Sequence, residues 1–148
     1  MGDVGGERRG RAALRGGVER SLGSSGVGRQ ILGTDGDYYP ARGFPEARPC
    51  HGREEIVAFT TEWRDAAWTG IRWVAKDIRG IGDDRVFVHG RIEAEGRASG
   101  AQLEGDTYHC FWLRHGRFVR AEDHLTAKGA VHALGFSGET LEAAGLPE

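Results

Sequence analysis

The chain reads as an α+β domain, a curved antiparallel sheet with helices packed against one face. Three observations carry this. One amphipathic helical stripe lies near residues 52–68, four strand-like segments follow it between Arg72 and Leu125, and the links between them have hairpin length. A chain of 148 residues is long enough for one domain with a sizeable core and short for two. Hydrophobic residues at 39% and charged residues at 28% match an ordinary soluble protein, and a net charge of -2 offers nucleic acid or an acidic membrane no global attraction. No apolar run approaches the ~20 residues of a membrane span. The N-terminus has arginines but no apolar stretch of the secretory kind. Cys50 and Cys110 lack metal-ligand spacing, and two free thiols fit a cytoplasmic protein.

Residues 1–36 hold eleven of the 25 glycines and few large apolar side chains. They read as an atypical Gly/Arg-rich leader, with residues 37–148 as the folded domain. Glycine loses the most backbone freedom on ordering, so disorder is the plain reading of the leader. A P-loop is excluded, because no Gly-Lys-Ser/Thr follows a strand. Asp37-Tyr-Tyr-Pro40 then looks like a short strand entering a turn, and Pro45 and Pro49 mark a loop. In the helix, Ile56, Phe59, Trp63 and Ala67 form one stripe, Glu54 and Glu55 suit the positive end of the macrodipole, and Gly70 is placed as a C-cap.

The strands are expected over Arg72–Arg79, Arg85–Ala94, Thr107–Leu113 and Phe118–Leu125. Gly82-Asp-Asp84 supplies a turn, and Gly90 a bulge. Helical pattern returns at Ala127–Leu134 and Thr140–Gly145.

The segments Glu46 to Phe59, Gly82 to Val88, Trp112 to Phe118 and Leu141 to Leu146, in this order and spacing, resemble the SnoaL-like branch of the nuclear transport factor 2-like superfamily over about residues 35–146. The resemblance implies a cone: a bent sheet wrapped around a helix and enclosing an apolar pocket. Superfamily members include polyketide cyclases, ketosteroid isomerases, limonene-epoxide hydrolases and non-catalytic binders, so fold alone leaves function open. The long aromatic-bearing first helix of the family is missing from the leader. Leu14-Arg-Gly-Gly-Val-Glu-Arg-Ser read one nucleotide later, with permissive codons, can spell such a helix, so a shifted reading frame is an alternative to disorder for residues 1–36.

Chemistry concentrates in the hairpin Gly105–Leu125, where His109, Glu122, Asp123 and His124 sit among apolar residues. Burying ionisable groups is costly unless they are paired or used. With a three-residue loop Arg114-His-Gly116, Leu113 pairs with Arg117, His109 lies opposite Ala121, and Phe111, Val119, Asp123 and Leu125 join His109 on one face. With a two-residue loop His115-Gly116, His109 shares its face with Glu122 and His124. The more apolar face favours the first register.

By resemblance His109 falls where the isomerases place the acid of their oxyanion hole, Asp123 falls near the cyclases' general base, and Tyr39 stands where the isomerases have their base. The candidate catalytic residues are therefore Asp123 and His109. The pocket would be lined by Tyr39, Phe59, Trp63, Trp73, His89, Phe111, Ala121 and Leu125. Plain roles compete: Asp123 paired with Arg117 or Arg120, His109 as a satisfied sheet histidine, the aromatics as core. No His/Asp/Glu set has zinc spacing, so no metal or cofactor is expected.

Two classes of function follow. One is an enzyme using acid–base chemistry of the cyclase, isomerase or epoxide-hydrolase type on a small hydrophobic molecule. The other is a non-catalytic ligand-binding or dimerisation module. The resemblance implies a homodimer through the outer sheet face, which would expose Trp112, Phe118 and Cys110, while charge and hydropathy point to neither nucleic acid nor membrane as a partner.

Overall fold

A computed structural model describes residues 32–44 and 47–146, so the expectations for residues 1–31 lie outside the described part. The elements are β1 (Leu32–Tyr39), β2 (Cys50–His51), α1 (Gly52–Ala67), β3 (Trp68–Ile81), β4 (Arg85–Gly96), β5 (Gln102–Arg114), β6 (Arg117–His124), α2 (Ala127–Ala133) and a 3-10 turn (Glu142–Ala144). The strands form one curved, unclosed sheet in the order β2-β1-β6-β5-β4-β3.

The sheet is mixed: four ladders are antiparallel, and β1 runs parallel to β6. The hairpin links made an all-antiparallel sheet the natural expectation. They govern β3 to β6, whereas β1 reaches β6 only through the long chain path between them.

The helix forms where its stripe predicts. Ile56 and Phe59 are buried, Trp63 packs beside them, and the Glu55 carboxylate accepts the His51 backbone N–H at 2.8 Å. Gly70 does not cap it. The chain passes from Ala67 directly into β3, and Gly70, at φ +64°, lies where the β3–β4 ladder slips between Thr69 and Arg72.

Helices cover both faces of the sheet rather than one. On the inner face Ile56 and Phe59 of α1 meet Ala75, Val86, Val88, Phe111, Phe118 and Ala121. On the outer face Phe87 and Cys110 are buried with Ala130, Val131, Leu134, Leu141 and Leu146 of α2 and the C-terminal turn. This explains the unbroken apolar run Val86-Phe-Val88: a strand covered on both sides does not alternate. Thr126 caps α2, its hydroxyl accepting the Gly129 N–H at 3.1 Å.

The β5–β6 turn has two residues, with Arg114 opposite Arg117 and both His115 (φ 51°) and Gly116 (φ 72°) left-handed, as a type I′ turn requires. A bulge then inserts one extra residue in β6: Leu113 faces Phe118, but Trp112 faces Arg120. His109 consequently stands opposite Asp123, not Ala121. The two-residue turn also sets Phe118 opposite Leu113 on the inner face, and Cys110 is buried against α2, so neither contributes to an exposed outer patch.

Gly90 is fully enclosed, and a Cβ there would stand 2.4 Å from the Trp73 indole. The bulge of this region lies in β3, between Ala75 and Asp77, across from Gly90. Gly90→Ala is expected to cost about 1–3 kcal/mol by overpacking. Urea denaturation measures this, and an unchanged midpoint would contradict the contact.

Candidate functional site

Strand alternation puts Thr107, His109 and Phe111 of β5 on the inner face, with Ala121 and Asp123 of β6 beside them. His109 Nδ1 lies 2.6 Å from Asp123 Oδ1, and Nε2 lies 3.0 Å from Thr107 Oγ1. The Trp73 indole N–H donates to the same Thr107 oxygen at 3.0 Å, and the Trp73 ring meets the imidazole edge-on at 5.3 Å. From β1, the Tyr38 hydroxyl donates to Asp123 Oδ2 at 2.5 Å. Five side chains from four strands are thereby joined in one hydrogen-bonded line.

The pair is enclosed: the side chains of His109 and Asp123 are 7% and 10% exposed. Aromatic rings surround it. Phe111 stacks near His109, Phe118 packs on Phe111, and Phe59 tilts against Tyr38. Both ring nitrogens of His109 are engaged within the protein, whereas each Asp123 oxygen has one named donor. Burial raises the Tyr38 phenol well above the ordinary tyrosine range, and the Asp123 charge and hydrogen bond add to this. Tyr38 is therefore a neutral donor at neutral pH.

A titration consequence follows. Above the ordinary tyrosine pKa the unfolded chain releases the Tyr38 proton and the folded chain keeps it, so stability falls as pH rises past about 10. Spectrophotometric titration is expected to show the Tyr38 phenol ionising only on unfolding, a late step absent in Tyr38→Phe. A step in the native protein that is lost in Tyr38→Phe would contradict the burial of Tyr38.

Asp123 and His109 are brought together, and Phe59, Trp63, Trp73, Phe111 and Ala121 share their face. Three lining expectations need correction. Tyr39 points outward, where the Arg120 guanidinium lies over its ring and also over that of Trp112; its neighbour Tyr38 holds the inner position. His89 is buried on the outer face, stacked on Tyr108 at 4.9 Å, with Asp106 Oδ1 3.2 Å from Nε2. Leu125 lies just past β6 and is 45% exposed. Tyr38 and Thr107 were missed by sequence reasoning. The i, i+2 spacing of Thr107 and His109 on one strand was a usable signal for the second.

Among the described residues no group of three or more His, Cys, Asp or Glu side chains is placed to hold a metal ion. No helix among them is long and apolar enough to cross a membrane.

The family model of the SnoaL-like domain matches residues 29–121. No curated protein matches the chain. Several solved structures share the fold. A nuclear transport factor 2-like protein of unknown function from Burkholderia pseudomallei is 18% identical, with a TM-score of 0.65 over 80% of this chain and 95% of that one. TerC, co-crystallised with polyporic acid, is 21% identical, with a TM-score of 0.64 over 84% and 95%. A protein described as a SnoaL-like polyketide cyclase, from Jannaschia sp. CCS1, is 16% identical, with a TM-score of 0.58 over 67% and 69%.

Proposed function

The chain belongs to the SnoaL-like domain family, and on that footing we propose that it binds a small, flat, hydrophobic molecule bearing a carbonyl and carries out acid–base chemistry on it. The observation that carries this reading is the enclosed Tyr38–Asp123–His109 line amid aromatic side chains. A carboxylate in such surroundings suits proton abstraction beside a carbonyl. Asp123 Oδ2 takes the proton from the ligand carbon. The Tyr38 hydroxyl, released from Oδ2, donates to the oxygen on which charge develops. His109 stays on Oδ1 and orients the carboxylate. It does not itself face the ligand, because both of its nitrogens are occupied.

Two further features support a polar-tipped aromatic ligand. The indole N–H groups of Trp63 and Trp68 have no acceptor among the described residues, and the two rings lie 5.9 Å apart. The neighbour co-crystallised with polyporic acid supports a small organic ligand in this fold. A panel of flat hydrophobic ketones and epoxides, screened by amide and indole NMR shifts, tests the reading. Shifts centred on Tyr38, Phe59 and Trp73 are expected. Shifts confined to the α2 face, or none with any member, would overturn it.

A further inference from the structure

We propose that Thr107 and Trp73 are positioning residues for the carboxylate–imidazole pair. They hold the His109 proton on Nδ1, so that the imidazole always presents an N–H to Asp123. The proposal rests on the reading of Asp123 as the reacting base, and its test needs no substrate.

The argument begins at the ends of the line. An indole N–H can only donate, and an ionised carboxylate can only accept. Between them lie two groups that can do both. Trp73 donates to Thr107 Oγ1, so that oxygen already acts as an acceptor and its own proton is free to be donated. The atom within reach is His109 Nε2, at 3.0 Å. A ring nitrogen that accepts carries no proton, so the imidazole proton sits on Nδ1, 2.6 Å from Asp123 Oδ1. The order is thus Trp73 to Thr107 to His109 to Asp123, every donor pointing the same way.

The opposite order is penalised. With a proton on Nε2, Thr107 would accept twice, and its own hydroxyl proton would lose the one acceptor found for it among the described residues. Thr107 is 3% exposed, so bulk water does not replace that acceptor.

The sheet is built to allow the reach. Trp73 stands on β3 and Thr107 on β5, with β4 between them. The residue of β4 paired with Thr107 is Gly90. Any Cβ there would meet Trp73 Cζ2 at 2.4 Å and Nε1 at 2.7 Å. The glycine therefore leaves open the space through which this indole crosses the intervening strand. Thr107 and His109 then face the same way as i and i+2 of one strand. Of the two carboxylate oxygens, Oδ1 is committed to this line, which leaves Oδ2 and its Tyr38 partner as the end that meets a ligand.

The test is long-range proton–nitrogen NMR on the nitrogen-15-labelled full chain. His109 signals are assigned among the six histidines by their loss in His109→Gln. The expected pattern is a proton-bearing Nδ1 with a strongly downfield proton, and an Nε2 without one. In Thr107→Val the Nε2 resonance moves, and the Nδ1 proton exchanges with solvent roughly tenfold faster, the effect of losing one buried hydrogen bond. Thr107→Ser restores both. Should Thr107→Val not fold, Trp73→Phe keeps an apolar ring and removes the compulsory donor, so an Nε2-protonated form becomes measurable. A proton on Nε2 in the wild type, or ring signals unmoved in both variants, overturns the proposal. A failed ligand screen with the NMR pattern intact would sink the functional reading, and with it the catalytic purpose of the pair, and leave the order of donors standing.

Discussion

Asp123→Asn is expected to lower turnover of any processed ketone by roughly 10²–10⁴-fold while leaving its affinity unchanged, the usual contribution of a positioned general base. The substitution is conservative in shape. The amide oxygen can still accept the His109 N–H, and the amide nitrogen can donate to the Tyr38 oxygen, which then accepts instead of donating. The loss of charge assistance costs stability on the order of 1 kcal/mol. What disappears is the capacity to take a proton at Oδ2. A pure binding module predicts a different result, no turnover in either protein and similar affinity in both. Turnover retained by Asp123→Asn would remove Asp123 from the chemistry altogether.

Phe87→Ala should have the largest effect on stability, about 3–5 kcal/mol. Phe87 is wholly buried on the outer face of β4, beside Tyr108 at 6.4 Å and in one cluster with Cys110, Leu134 and Leu141. Removing the ring leaves a void between sheet and α2 that neither can close, because the strand is fixed by ladders on both sides. The urea midpoint should drop with the slope preserved. A loss below about 1 kcal/mol would mean that α2 does not bear on this ring.

That His109 and Asp123 share one face was legible because sheet side chains repeat every two residues. The expected register set His109 opposite Ala121, and the observed one sets it opposite Asp123. The difference is two residues, so the face survived although the turn and bulge were misjudged. Phe118 lies between the turn and the bulge, where the offset is one residue, and there the face inverted.

Tyr38 and Tyr39 are adjacent, and nothing local says which points inward. That is decided by the parallel ladder to β6, which pairs Tyr38 with Ala121 and depends on no short turn. His89 follows an apolar run whose lack of alternation hid its face, since α2 covers one side and α1 the other. The helix stripe, by contrast, needed only its own periodicity, and it placed Ile56, Phe59 and Trp63 correctly.

The most direct measurement is a crystal structure after soaking with a flat hydrophobic ketone. The account predicts ligand density on the inner face, its carbonyl oxygen within hydrogen-bond distance of Tyr38 Oη and an adjacent carbon against Asp123 Oδ2. Density only on the outer face beside α2, with Tyr38 still bonded to an unapproached Asp123, would contradict it.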